Sequence, residues 1–179
     1  AKNCLFVAAI LILLSIPISI HSAEIVWPPP PEEAKIAFVQ SFSTPEDLKI
    51  KKSFFRKIWE FVIGEDVENR VVKPYGVFSA EEKIYITDSS SRRVHIFDTN
   101  KKKYSFIDSI SRNMPLRSPI GVVVDNKGYI YVSDSIIGKI FVFDQKGKMQ
   151  KEIGGEGILT RPVGIAINHV NNYLYVVDT

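Results

Sequence analysis

Five aspartates are the residues whose type and spacing could do chemistry in this chain. Asp88, Asp134 and Asp178 each stand three residues after a tyrosine, namely Tyr85, Tyr131 and Tyr175. Asp98 and Asp144 each follow a phenylalanine, ten residues beyond the first aspartate of their copy. Carboxylates repeated in this way bind calcium when several converge on one ion. An aspartate at a strand end can instead accept hydrogen bonds from the backbone amides that follow it, and so hold a turn. Because the same aspartate recurs from copy to copy, the pattern assigns these residues to the repeat and not to a single ligand.

Little else has the spacing of a reactive set. His95 alternates with Val94 and Ile96, and His169 falls in a turn after Ile165 to Ile167. Neither has a histidine or glutamate at metal-ligand spacing, so both read as packed or surface histidines. No Ser-His-Asp set and no carboxylate pair can be assembled from spacing. Gly154-Gly155-Glu156-Gly157 shares only its glycines with a phosphate loop, since no Gly-Lys-Ser/Thr and no helix follow, and it reads as a connector. Lys101-Lys102-Lys103 reads as a solvated hairpin tip. The spacing therefore nominates no catalytic residue, no metal ligand and no cofactor.

What must position the aspartates is a repeat. Pro74-Tyr75-Gly76, Pro119-Ile120-Gly121 and Pro162-Val163-Gly164 open three copies. Their period of roughly 45 residues is the length of a propeller blade. A first strand leaves each Pro-x-Gly turn, as Val77-Phe78, Val122 to Val124 or Ile165 to Ile167. The second is Ile84 to Thr87, Tyr129 to Ser133 or Tyr173 to Val177. The third is Val94 to Phe97 or Ile140 to Phe143, and the fourth Tyr104 to Ile107 or Met149 to Ile153. Short, evenly spaced strands joined by hairpin turns make one four-stranded antiparallel sheet per copy. Gly76, Gly121 and Gly164 are expected to allow positive φ and close approach of backbones.

The fold class that follows is all-β. It is a β-propeller with two full blades, part of a third, and a short helical insertion before the first full blade. A blade buries its faces only against its neighbours. Propellers close with roughly four to eight blades. The chain stops just after Asp178, where the next strand of the third copy is due, so it reads as a piece of a longer protein with a bare strand edge.

The composition suits such a domain, with 45% apolar and 24% charged residues. The net charge of +3 is small and the basic residues are scattered, which argues against nucleic acid as the main partner. Residues 1–23 are of another kind. Lys2 precedes an acid-free apolar run from Leu5 to Leu14, Pro17 breaks any helix, and Ser22-Ala23 offers small residues for cleavage. That is the layout of a secretory signal peptide. A spanning helix needs roughly 20 apolar residues, and Leu5 to Ile20 is shorter and holds Pro17. An uncleaved anchor is the alternative. Cys4 precedes the apolar run, so a lipoprotein arrangement is not met.

Residues 24–35 form a Pro-rich spacer, in which Pro28 to Pro31 should hold the chain extended. Residues 36–71 are read as a strand from Ile36 to Phe42 followed by an amphipathic helix. Thr44 can cap that helix, Pro45 suits its first position and Asp47 is the capping-box acid. Phe54, Phe55, Ile58, Trp59, Phe61 and Val62 fall on one helical face, packed over the strands or open to a partner. Residues 72–179 hold the repeats.

The repeat resembles the NHL repeat. The resemblance rests on Pro-x-Gly, then Tyr131-Val132-Ser133-Asp134, then Lys139-Ile140-Phe141-Val142-Phe143-Asp144, with Pro74 to Asp98 repeating it and Pro162 to Asp178 repeating its first half. The Asn-His-Leu triplet is absent; its positions read Ser91-Arg92-Arg93 and Ile137-Gly138-Lys139. The resemblance implies a six-bladed propeller, and the signal with its spacer looks like the bacterial extracytoplasmic members. Animal relatives often carry a zinc-binding RING region. With Cys4 as the only cysteine, this sequence cannot hold those zincs, and ubiquitin ligation is not carried over. The resemblance also places the Pro-x-Gly turns at one rim of a central channel. Lys73 and Arg161, each just before such a turn, become candidate contacts for an anionic ligand.

The expected function is an extracytoplasmic, non-catalytic binding scaffold for a protein or another macromolecule. It would be secreted or held in the periplasm or cell envelope, and would meet the membrane only through an uncleaved signal. The alternative is a propeller enzyme of lyase or lactonase type with its metal site in blades not present here. RNA binding, seen in some relatives, would ask for a basic top face and cytoplasmic residence, and the sequence shows neither.

Overall fold

The computed structural model describes residues 25–51 and 69–179. The signal segment and the aromatic helix expected between Phe54 and Val62 lie outside the described residues. Among the described residues no helix is long and apolar enough to cross a membrane.

The chain divides after Gln40 into two units. In the first, β1 (Val26–Trp27) pairs antiparallel with β2 (Ile36–Ala37). Pro28 to Pro31 lie in the bend between them, so the proline run turns the chain back instead of holding it extended. The strand expected over Ile36 to Phe42 is cut to Ile36–Ala37, because β1 offers it ladder partners only at Val26 and Trp27.

The second unit opens on a 3-10 turn, Glu46–Leu48. Asp47 accepts from the backbone N–H of Ser43 and of Thr44, both at 2.9 Å, which is the acid's half of a capping box. These bonds hold the Asp47 carboxyl below its ordinary range.

The first copy is a four-stranded antiparallel sheet of β3 (Pro74–Ala80), β4 (Lys83–Asp88), β5 (Arg93–Asp98) and β6 (Lys103–Ile107). A small hairpin, β7 (Ser109–Ser111) with β8 (Met114–Pro115), leads to the second copy. That copy is β9 (Pro119–Val124), β10 (Ile130–Asp134), β11 (Lys139–Phe143) and β12 (Met149–Gly154), paired in the same order. The third copy has β13 (Pro162–Asn168) and β14 (Tyr173–Asp178), a two-stranded sheet. The innermost strands β3, β9 and β13 pack side by side, as the blades of a propeller do.

Period-two alternation gives each sheet two apolar faces; the central strands of the first copy are covered on both, whereas Tyr173, Tyr175 and Val177 of the third copy stand exposed. Tyr85, Val94 and Ile107 of the first copy close against Val122, Val124, Ile130, Val132, Phe141 and Phe143 of the second. On the other face, Ile86 and Phe97 are covered by Ile50, Leu48, Phe42 and Val71. Phe42 meets Phe97 edge-on, with centroids 5.3 Å apart. Burying each such side chain is worth roughly 1.5–3 kcal/mol, so the lead-in segment does for the first blade what a preceding blade does for the second.

The Pro-x-Gly triplets belong to the first strands and do not precede them. Pro74 pairs with Asp88, and the next ladder pair is Val77 with Ile86, so a β-bulge sits over the Tyr and Gly between them. Pro162 with Asp178, then Ile165 with Val176, repeats it. Gly76, Gly121 and Gly164 are not among the residues with positive φ, which corrects half of the expectation. The close approach is there. A Cβ on Gly76 would lie 2.5 Å from the Ile120 carbonyl oxygen, and one on Gly121 would lie 2.6 Å from that of Val163.

Candidate functional site

The three aspartates at the ends of β4, β10 and β14 do the same work. Asp88 is fully buried and accepts from the backbone N–H of Val72 at 2.6 Å and Lys73 at 3.2 Å, in the segment leading into its blade. It also accepts from Ser90 at 2.9 Å and Ser91 at 3.0 Å, in the turn that follows it. Asp134, also fully buried, takes the amides of Arg117 at 2.7 Å and Ser118 at 3.0 Å, then Ile136 and Ile137 at 3.1 Å. Asp178 takes those of Thr160 at 2.9 Å and Arg161 at 2.6 Å. Burial pushes the Asp88 carboxyl up, but the four amides outweigh it and hold it below its ordinary value. Each carboxylate thus ties the lead-in segment of its blade to that blade's second strand, and the two buried ones also brace the turn that follows.

Asp98 and Asp144 act locally. Asp98 accepts from the Lys101 amide at 2.7 Å, and Asp144 from those of Lys146 and Lys148 at 2.9 Å, closing the turn between the third and fourth strands. Among the described residues no group of three or more His, Cys, Asp or Glu side chains is placed to hold a metal ion.

A hydroxyl just before the latch aspartate links one blade to the next. Thr87 Oγ1 accepts from the Gly76 N–H at 2.7 Å and donates to the Ile120 carbonyl of the second copy at 2.6 Å. Ser133 Oγ repeats this with the Gly121 N–H at 2.8 Å and the Val163 carbonyl at 2.6 Å. The glycine lets the neighbouring carbonyl come close, and the hydroxyl satisfies that carbonyl. The third copy has Val177 at this position.

His95 is fully buried in the first blade, at the position where the second has Phe141. Its Nδ1 lies 2.7 Å from the Tyr104 hydroxyl, and its Nε2 lies 3.2 Å from Ser91 Oγ and 3.5 Å from Asp88 Oδ2. Spacing alone did not assemble this Ser, His and Asp. They do not make a nucleophilic triad, which needs serine and carboxylate on opposite ring nitrogens. Here both share Nε2, and Asp88 is already engaged by four amides. The carboxylate beside Nε2 favours the proton there, leaving Nδ1 to accept from Tyr104. Burial pushes the His95 pKa down, partly offset by Asp88.

The latched segments carry basic side chains. Lys73 and Arg161, singled out by sequence, are exposed, and so is Arg117, which the structure adds. Asp134 holds Arg117 as Asp88 holds Lys73 and Asp178 holds Arg161. None of the three pairs with a carboxylate among the described residues. Lys73 instead lies 5.6 Å from the ring centre of Tyr75. Arg117 escaped the sequence reading because Ser118 separates it from Pro119; a basic residue up to two residues before each proline was the usable signal. All three stand at one end of the sheets, since Pro74, Pro119 and Pro162 pair with the three latch aspartates. His169 lies at the opposite end, in a cleft of about 270 Å³ with Glu81, Lys83, Tyr85, Asp125 and Gln145.

Fold and repeat together define a β-propeller built of NHL-type blades. No protein-family model matches the chain. The chain is 33% identical over 147 residues to Protein brain tumor of Drosophila melanogaster, a match that covers 79% of this chain and 14% of that protein. It is also similar to the solved structure of a catalytically inactive virginiamycin B lyase from Staphylococcus aureus with quinupristin. That likeness has 16% identity and a TM-score of 0.51, over 64% of this chain and 37% of the lyase. The hydrazine synthase of Kuenenia stuttgartiensis matches at 20% identity and a TM-score of 0.49, over 64% of this chain and 33% of that one. The chain thus spans a small part of the curated relative and little more than a third of the lyase. At such identities the structural likeness concerns the fold alone.

Proposed function

We propose that the chain is part of a non-catalytic NHL-type propeller that binds a protein or another macromolecule at the end where the aspartate latches lie. The observation that carries this reading is the repeated latch. Carboxylates fix the backbone of three successive lead-in segments, and each segment presents an exposed basic side chain. A surface held in this way loses little freedom when a partner docks. Six blades and a place outside the cytoplasm, by way of the N-terminal segment, complete the proposal. Sequencing the N-terminus of the mature protein would show cleavage near Ala23 if that segment is a signal.

The experiment is partner recovery with an affinity-tagged chain expressed in its native source. Replacing Lys73, Arg117 and Arg161 by glutamine should abolish recovery while leaving the circular dichroism spectrum unchanged. Equal recovery from the triple variant would remove this end as the binding surface.

A further inference from the structure

Arginine is confined to one end of the blades, where Lys73 and Lys139 also stand. Apart from Arg70, which precedes the first blade, every described arginine lies at the latch end: Arg92 and Arg93 beside the turn after β4, Arg112 and Arg117 in the connection to β9, and Arg161 in the connection to β13. The hairpin turns at the opposite end carry lysines, at Lys101, Lys102, Lys103, Lys127, Lys146 and Lys148. The small net charge hides this division. Lysine at a turn serves solubility as a hydrated point charge, whereas the arginine fork matches planar, two-oxygen acceptors. Arg93 stacks over Phe106 at 4.4 Å, and its buried Nε has no hydrogen-bond partner.

Large aliphatic side chains stand out between these arginines. Ile136 is 61% exposed in the turn braced by the aspartate that also holds Arg117, and Ile158 is 72% exposed three residues before Arg161. Val72 is 58% exposed beside Lys73. Single-stranded nucleic acid asks for aromatic platforms between its cations. Of the exposed blade aromatics, Tyr75 alone is near this end, and Lys73 already lies against its ring. Exposed carboxylates at this end are Glu152, Glu156 and Asp178; Glu152 is paired with Lys139 at 2.7 Å, and Asp178 has both oxygens taken by amides.

We propose that the latch end is a docking surface for an acidic protein segment whose carboxylates alternate with aliphatic side chains. This rests on the binding-scaffold reading and names its partner's chemistry. Carboxylates would take the forks of Arg117 and Arg161 while leucine-like side chains cover Ile136 and Ile158.

The test is fluorescence anisotropy with three labelled probes of equal charge: a glutamate–leucine peptide, oligoglutamate and oligouridine. The glutamate–leucine peptide should bind at least about tenfold more tightly than either other probe. Each tenfold step is about 1.4 kcal/mol. The double variant Arg117→Gln/Arg161→Gln should lose about tenfold in affinity for it, and Lys101→Gln/Lys146→Gln less than about twofold. Both pairs are exposed, so melting temperatures should match wild type. Absence of peptide binding, or equal loss from the lysine pair, overturns the proposal. Tighter oligouridine binding with the same arginine dependence overturns it while sparing the scaffold reading. Insensitivity of every probe to the arginine pair removes both.

Discussion

The Thr87 hydroxyl donates to the Ile120 carbonyl at 2.6 Å, across the junction between the first and second blades. The same oxygen accepts the Gly76 amide at 2.7 Å, so one side chain satisfies polar groups of two sheets that share no ladder. Thr87→Val keeps the shape and takes this partner from a part-buried carbonyl and a part-buried amide. It should lower stability by about 1–3 kcal/mol, and Ser133→Ala should cost a similar amount. Urea denaturation of both variants measures this. Unchanged midpoints would show that the hydroxyls do not join the blades.

Glycine at the bulge is required by proximity and not by backbone angle. Gly76→Ala drives a Cβ to 2.5 Å from a backbone carbonyl that cannot yield, as Gly121→Ala does at 2.6 Å. Each should cost roughly 1–3 kcal/mol. At Gly164 the nearest atom to a Cβ is Val177 Cγ2 at 3.8 Å, so Gly164→Ala in this chain should stay within about 0.5 kcal/mol of wild type. Thermal melts of the three variants distinguish this from a requirement for φ, which would penalise all three alike.

The latch carboxylates differ in burial, and their mutants should differ accordingly. Asp134→Asn turns an amide group toward backbone N–H groups in a site with no solvent access, and should cost at least about 2 kcal/mol. Asp178→Asn, at an exposed site, should cost about 1 kcal/mol or less. Hydrogen exchange at the Arg117 and Ser118 amides should quicken in Asp134→Asn before global unfolding does. No change there would separate the carboxylate from the segment that holds Arg117 and Ser118.

His95 sets a pH dependence whose sign follows from its burial. Its folded-state pKa lies below the ordinary 6.5. As pH falls through 6.5 the unfolded chain takes up a proton that the folded chain refuses, so stability falls. The loss continues until the lowered folded-state value is passed. Asp88, held below its ordinary 3.8, adds a second loss as pH drops below that value, because the folded carboxylate resists protonation. His95→Phe copies the residue of the second blade. It should flatten the first phase and leave the second, as read from denaturation midpoints between neutral and acid pH.

Strand order and blade length were legible in the sequence because alternation and the Tyr-x-x-Asp spacing repeat in register. The duty of Asp88 and Asp134 was legible in kind, since an aspartate after a strand is read from local chemistry. The far side of each latch was not, because Val72 and Arg117 lie sixteen and seventeen residues upstream of their carboxylates. The joining role of Thr87 and Ser133 needs the adjacent copy to be in place, and no periodicity reports it. The cover over Phe97 by Phe42 and Ile50 was missed because the stretch around Phe42 alternates like a strand but joins no strand ladder. The arginine end was masked because its members come from turns and connections far apart in sequence.

The measurement that bears most directly on the latch end as the binding surface is site-specific photo-cross-linking in the native source. A photoreactive side chain would be placed at position 117 and, separately, at position 146. Partner adducts are expected from position 117 and none above background from position 146. Adducts from position 146 with none from position 117 would contradict the latch end as the binding surface.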